Sequence, residues 1–292
     1  MGETGISFAL GVGRSGTTLL GRILALTATP ARFVNELCPG IPERIPNPVF
    51  MVEPGDEATQ RRVCGAVEEL AHGKCPFSER QAVRIERDDA DARQLIVKDV
   101  HSLLAWPEIA GGLRGWKAVV ITRDTARAVD SYLHGHRPGE RRYLVEEFAY
   151  LARHLGDAPP GSRLARAADA AGPRVARYLR RPRPFTREVL RQAAVSEVLA
   201  CFLRAWAEDD ERVTHVSFEE LCRDPLGQAV RLYDFLGLDH DERTLARVRE
   251  TTSGSSDAYY ATDKDSRAVL QRPHRALRPA DARRVARLLG GA

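Results

Sequence analysis

The run Gly11-Val12-Gly13-Arg14-Ser15-Gly16-Thr17-Thr18 gathers residue types that bind an anion without a metal. Glycines let successive backbone N–H groups turn toward one negative group, and the start of a following helix adds its positive end. Arg14 supplies a forked, permanently charged donor, and the hydroxyls of Ser15, Thr17 and Thr18 complete a phosphate cradle between Gly13 and Gly16. A tight turn with capping hydroxyls would account for the glycines but not for this density of anion donors. The nucleotide-triphosphate loop needs a longer spacer between its glycines and then Gly-Lys-Ser/Thr, which this run lacks. The same letters do fit Gly-x-Gly-x-x-Gly, and Glu36 lies where a dinucleotide fold places its ribose carboxylate, so a nicotinamide or flavin oxidoreductase is a rival reading.

A second anion feature is Val119-Val120-Ile121-Thr122-Arg123-Asp124, continuing to Ala128-Val129-Asp130-Ser131. A strand there delivers Arg123 at its carboxyl end, and Ser131 falls about two turns into the next helix, by the helical repeat of roughly 3.6 residues. Such a pair can hold a second phosphate far from the first. Alone, the segment reads as an Arg–Asp ion pair and an ordinary helical serine; together with the glycine loop it reads as a second phosphate site.

These residues need elements to carry them. Ile6 to Leu10 is a short apolar strand ending at the glycines, and Thr17 to Thr27 has helical spacing. Glu57 to His72 reads as a helix with Asp56 as N-cap and Gly73 beyond its end. Leu95 to Val97 and Lys117 to Ile121 are β-branched runs that fit buried strands. Helices are expected over Glu140 to Leu155, Thr186 to Asp210 (amphipathic), Pro225 to Leu236 (closed by Gly237) and Pro279 to Leu289, with a strand from Val213 to Phe218. Gly156 to Pro184, rich in Arg, Ala, Pro and Gly, reads as a lid, insertion or linker, and residues 251–275 as polar without strong periodicity. The alternation predicts an α/β fold with a central parallel sheet. Because the pattern resumes after the stretch from Gly156 to Pro184, residues 1–292 are expected to form one domain.

Composition bounds the rest. In 292 residues, 44 basic against 40 acidic side chains leave a net charge of +4, too mild to argue for nucleic acid. Only Lys74, Lys98, Lys117 and Lys264 are lysines, so Lys98 at a strand's carboxyl end stands out against an arginine-rich background. Apolar stretches such as Trp116 to Thr122 and Val198 to Leu203 are too short to span a membrane, and the amino terminus has no secretory pattern, so a cytoplasmic protein is expected. Cys38, Cys64, Cys75, Cys201 and Cys222 are scattered and read as reduced thiols, and no metal site is expected.

Taken together, the motifs resemble the sulfotransferases that use 3′-phosphoadenosine 5′-phosphosulfate (PAPS). Gly13-Arg14-Ser15-Gly16-Thr17-Thr18-Leu19-Leu20 is similar to their 5′-phosphosulfate loop, in the version with arginine where many cytosolic members carry lysine. Arg123 and Ser131 match the family's 3′-phosphate pair. Val216-Ser217-Phe218-Glu219-Glu220-Leu221, Asp224-Pro225 and Phe235-Leu236-Gly237-Leu238 are similar to its later strand–helix stretch, and residues 137 to 190 are unmatched. The resemblance implies a three-layer, P-loop-like α/β fold with helical insertions, residues 137–190 being an acceptor-site or lid insertion, and in-line sulfuryl transfer from PAPS to an acceptor hydroxyl of a small metabolite, releasing adenosine 3′,5′-bisphosphate (PAP), with no nucleic acid or membrane partner. It implies that Arg14 stabilises the transferring oxygens and the departing phosphate, and that Lys98, in a Lys-Asp step like that of protein-tyrosine sulfotransferases, takes part in the transfer. It gives Glu36 as the base, with His101 as competitor. It implies a late basic loop over the nucleotide, for which Lys264 and Arg267 stand. A nucleotide-dependent kinase, an NAD or FAD oxidoreductase and a catalytically dead binding module remain the alternatives.

Overall fold

A computed structural model describes residues 4–37, 52–74, 84–135, 142–180, 187–255 and 264–290; Cys38 and Cys75 lie outside them. The strand that leads to the glycine loop, β1 (Gly5–Gly11), is buried from Ile6 onward, as a strand covered on both faces must be. It lies inside a six-stranded sheet whose other members are β2 (Ala31–Asn35), β3 (Arg84–Asp88), β4 (Gln94–Asp99), β5 (Trp116–Thr122) and β6 (Val213–Ser217). The order is β3-β2-β4-β1-β5-β6. All neighbours run parallel except β3, which pairs antiparallel with β2, so the expected parallel sheet carries one reversed edge strand.

Parallel pairing brings the carboxyl ends of β1, β2, β4, β5 and β6 to one edge. Register sets the details there: Ala9 stands opposite Lys98 and Val119, and Asn35 opposite Lys98. Ligands of open α/β sheets bind at this edge, where the chain leaves β1 and neighbouring strands are reached in opposite directions.

Two layers cover the sheet. One is built by α1 (Thr17–Ala25), α9 (Phe218–Arg223) and α10 (Pro225–Leu236), whose Leu20, Ile23, Leu221 and Leu232 pack with Ala9, Ile96 and Val119. The other contains α2 (Glu57–Ala71), α3 (Trp106–Gly111) and α8 (Glu188–Asp209), packed on Phe8, Leu10, Val97 and Val120. Helix α4 (Thr125–Gly135) follows β5, and α5 (Arg142–Asp157) precedes α6 (Arg163–Ala170) and α7 (Pro173–Arg180).

Several expectations hold in detail. Asp56 Oδ1 accepts from Thr59 N at 3.1 Å as the N-cap of α2, and Gly237 closes α10 at φ 72°. Cys64, Cys201 and Cys222 are free thiols. Others are corrected. The stretch from Gly156, read as lacking apolar periodicity, forms α6 and α7, because its small and aliphatic residues make an apolar stripe: Ala167, Ala168, Val175, Ala176 and Leu179 are all buried. Helix α8 is not amphipathic but buried on most sides, including Gln192 and Ser196, since it lies between the sheet and the helices around it. Residues 251–275 include the end of α11 (Glu242–Thr252), the strands β7 (Ser253–Ser255) and β8 (Lys264–Asp265), and α12 (Ser266–Gln271). The last helix is α13 (Pro279–Leu288).

Edge strand β3 escapes a hydrophobic-pattern search because it reads Arg-Ile-Glu-Arg-Asp. Its charges suit an edge that must not pair with another chain. Arg87 also ties it inward, donating to the carbonyls of Ala25 at 2.7 Å, Thr27 at 2.9 Å and Thr29 at 3.3 Å.

Candidate functional site

The loop between β1 and α1 is shaped by two glycines. At Gly11 a Cβ would stand 2.6 Å from the Ile121 carbonyl oxygen, so only glycine lets β1 lie this close to β5. Gly16 has φ 99°, a left-handed conformation, and a Cβ there would run into the Phe218 ring. Between them Ser15 N donates to Val12 O at 2.9 Å, and Arg14 is held at φ 73°, a costly conformation for a residue with a side chain. At Gly13 no atom lies within 4 Å of a Cβ position, so that face of the loop is open. Helix α1 begins at Thr17 with no side chain capping it, which leaves its first N–H groups and positive end directed at the loop.

These geometries separate the two glycines energetically. Gly16→Ala is expected to lose roughly 1–3 kcal/mol of stability from its backbone conformation alone, before the displacement of Phe218 is added. Gly13→Ala should be near neutral, and denaturant midpoints of the two variants compared with the parent check this; equal losses would contradict it.

Strand β5 delivers Arg123 beside the loop. Its Nη1 donates to the Arg14 carbonyl at 3.2 Å, and its guanidinium lies 4.3 Å from the centroid of the Phe218 ring. Burial pushes the pKa of Arg123 below the usual arginine value, Arg14 and Arg127 adding to the effect while Glu219 opposes it. A guanidinium nevertheless stays charged in a protein, so this half-buried cation favours an anion beside it. Among the described residues, Arg123 Nε and the hydroxyl of Ser15, which is 1% exposed, are buried without a hydrogen-bond partner. Orphaned donors occur elsewhere among the described residues, at Trp116 Nε1 and Arg191 Nε, but those of Ser15 and Arg123 flank the glycine loop and fit a ligand rich in acceptor oxygens.

Ser131 lies on α4 and accepts from Arg14 Nε at 3.4 Å. Arg14 thus joins the two anion features: its side chain reaches Ser131 and its carbonyl receives Arg123. Thr17 is buried and Thr18 half-buried on the first turn of α1.

Lys98 is the next-to-last residue of β4, between β1 and β2. Its side chain is 2% exposed, and Nζ binds Glu36 Oε1 at 2.6 Å. Helix α1 can lie close to the Lys98 stem because residue 21 is glycine; a Cβ there would stand 3.2 Å from Lys98 Cβ. Glu36 follows β2 directly, with φ 63° and its N–H donating to the Lys98 carbonyl at 2.7 Å. Its side chain is 46% exposed, so the pair has a sealed ammonium and an accessible carboxylate. A buried ammonium needs such a partner.

His101 lies just past β4. Its N–H donates to Asp99 Oδ1 at 2.7 Å and its carbonyl accepts from Trp106 Nε1 at 3.0 Å, so the main chain is fixed and the ring is half-buried. Arg267 is exposed in the first turn of α12, its N–H bonded to Asp265 Oδ1 at 2.9 Å. Lys264 pairs through its main chain with Ser255; its side chain lies outside the described residues. The structure therefore brings together Arg14, Ser15, Gly16, Arg123 and Ser131 in one cluster and Glu36 with Lys98 in another, while Arg267 shows no contact with either among the described residues.

Phe218 was not singled out as a site residue, yet its ring packs against Gly16 and lies beside Arg123. Its type gave no sign: an aromatic ending an apolar strand reads as core, and only the fold shows that it supports both parts of the cluster.

Residues 147–242 match the family model described as the Sulfotransferase family. That segment begins within α5, contains α8, β6 and Phe218, and lies after the glycine loop in the chain. No curated protein matches the chain. Among solved structures it is similar to mouse sulfotransferase SULT7A1 complexed with PAP, at 15% identity over 99% of this chain and 84% of that one, with a TM-score of 0.43. It is similar to a sulfotransferase from Alicyclobacillus acidocaldarius at 17% identity, over 100% of this chain and 98% of that one, with a TM-score of 0.42. A sulfotransferase domain from the curacin biosynthetic pathway matches at 13% identity over 99% of this chain and 98% of that one, with a TM-score of 0.43.

Proposed function

We propose that this chain, sulfotransferase-family sequence over residues 147–242, is a PAPS-dependent sulfotransferase that moves a sulfuryl group to a hydroxyl of a small metabolite. The observation that carries the reading is the joined anion cluster, in which Ser15 and Arg123 retain unpaired donors beside an open face of the glycine loop. When bound, PAPS supplies an activated sulfuryl group with a phosphate as its leaving group.

The chain's own residues then have distinct tasks. Arg14, Ser15 and the amide groups of Gly16, Thr17 and Thr18 hold the 5′ end, where charged and oriented donors favour the negative charge that grows on a departing phosphate. Arg123 and Ser131 hold the 3′-phosphate. Glu36 takes the proton of the acceptor hydroxyl at its carboxylate, and Lys98 fixes that carboxylate at the strand edge. His101 is the competing base. Lys264 and Arg267 belong to the loop that covers the nucleotide, and the insertion at 137–190 shapes the acceptor site of a single domain. A dinucleotide enzyme would turn Glu36 toward a ribose; here it is engaged by Lys98. Among the described residues no helix is long and apolar enough to cross a membrane, and the cytoplasmic placement remains part of this proposal.

Binding to the native state stabilises it by mass action, by about 2.7 kcal/mol at a ligand concentration a hundredfold above Kd. PAP is therefore expected to raise the melting temperature clearly, with NAD and ATP giving weak shifts or none. A larger shift with NAD would replace this reading by the dinucleotide one, and a larger shift with ATP by a kinase.

A further inference from the structure

Asp130 immediately precedes Ser131 on α4 and has no task in the reading above. Its carboxylate accepts three successive main-chain N–H groups: Arg275 at 3.1 Å, Ala276 at 2.8 Å and Leu277 at 2.7 Å. One turn earlier on the same helix, Arg127 Nη1 donates to the Arg272 carbonyl at 3.4 Å. Leu277 is 5% exposed and packs with Val129 of α4, Ala193 of α8 and Val285 of α13. The segment 272–277 is thus fastened along α4 by two side chains and an apolar anchor. What it brings there are the cations Arg272 and Arg275, with the His274 ring nitrogen 4.0 Å from the Asp130 carboxylate.

A carboxylate one residue from a phosphate site would ordinarily repel the ligand. Here its charge is already engaged. Burial works to raise the Asp130 pKa, but the N–H groups of Leu277, Ala276 and Arg275, with His274 nearby, hold it below the usual carboxylate range. Asp130 trades one negative charge for a segment with two arginines, held along the helix that carries Ser131 and Arg127, the latter close enough to act on Arg123.

We propose that Asp130 is a positioning residue, which by clamping the main chain of 275–277 holds a basic segment beside the 3′-phosphate site and so raises the chain's preference for a 3′-phosphorylated nucleotide. The inference rests on the sulfotransferase reading. Its sign is opposite to what simple electrostatics gives: removal of an acid next to an anion site should tighten binding, whereas loss of the clamp should weaken it.

The test compares PAP with adenosine 5′-phosphate by isothermal titration, together with hydrogen exchange of the 275–277 amides. In Asp130→Ala those amides are expected to exchange faster, and PAP affinity to fall on the order of fivefold to tenfold, the size of one or two partly screened charge contacts, with adenosine 5′-phosphate unchanged. A double variant, His274→Ala with Arg275→Ala, keeps the clamp because Asp130 bonds the main chain; it should lose PAP affinity by a similar factor without faster exchange, and it serves if Asp130→Ala does not fold. PAP affinity unchanged or tightened in Asp130→Ala, amides that exchange no faster there, or undiminished discrimination in the double variant would each overturn the inference alone. A parent chain that binds both nucleotides equally would overturn the sulfotransferase reading, and the inference with it.

Discussion

Glu36→Gln is expected to lower the single-turnover rate by about a hundredfold to ten-thousandfold, the usual worth of general-base assistance, while the variant still binds PAP. The amide keeps the length of the side chain, and its oxygen can still accept from Lys98 Nζ, the contact that is 2.6 Å in the parent. It cannot take a proton. The substitution also removes the charged partner of an ammonium that is 2% exposed, so some loss of melting temperature should accompany it. Rates are therefore compared on variants shown to be folded and saturated with nucleotide. His101→Ala should cost less. Its ring is half-buried, and the main-chain bonds that fix its turn, to Asp99 and Trp106, do not depend on the side chain. If His101→Ala loses the larger factor, the base role passes to the histidine. Near-parent rates in both variants would mean an acceptor that is nucleophilic without a base, such as an amine.

For Arg123→Ala the expected effect is on affinity. A hydrogen bond to a charged group contributes roughly 1.5–3 kcal/mol, so PAP binding should weaken on the order of tenfold to a hundredfold. Adenosine 5′-phosphate, which lacks the 3′ group, is the control and should bind nearly as before. The structure sharpens what a failure would mean. Arg123 also donates to the Arg14 carbonyl and stacks beside Phe218, which packs against Gly16. Equal weakening of both nucleotides would show Arg123 shaping the glycine loop through those contacts, without reading the 3′-phosphate. Arg123→Lys is not a conservative rescue, because an ammonium lacks the planar fork that lets one side chain stack, donate to Arg14 and retain a donor.

Legibility followed how locally each feature is encoded. The glycine loop could be read from eight consecutive residues, Gly11 to Thr18, because the turn, the anion donors and the helix start are all local. Strands β1, β4 and β5 were legible as apolar runs, since burial on both faces demands them. Strand β3 was not: its charged edge position and the Arg87 bonds that tie it inward are tertiary facts. Helices α6 and α7 were missed because buried alanines give a weak apolar signal in an arginine-rich background. In the site, Glu36 and Lys98 could each be named from sequence, but their union depends on β2 and β4 being neighbours, which no spacing along the chain displays. Phe218 and Asp130 act through a glycine and a main-chain segment far away in sequence, and residue type alone marks neither.

The most direct test of the account is a single-turnover incubation of the saturated chain with radiosulfur-labelled PAPS and a pool of small hydroxylated metabolites. The account predicts that label leaves the nucleotide and appears in an organic sulfate, PAP forming in equal amount, and that Glu36→Gln makes this transfer slower by the factor given above. Label that stays on bound PAPS, or leaves only as inorganic sulfate whatever metabolite is supplied, would contradict it.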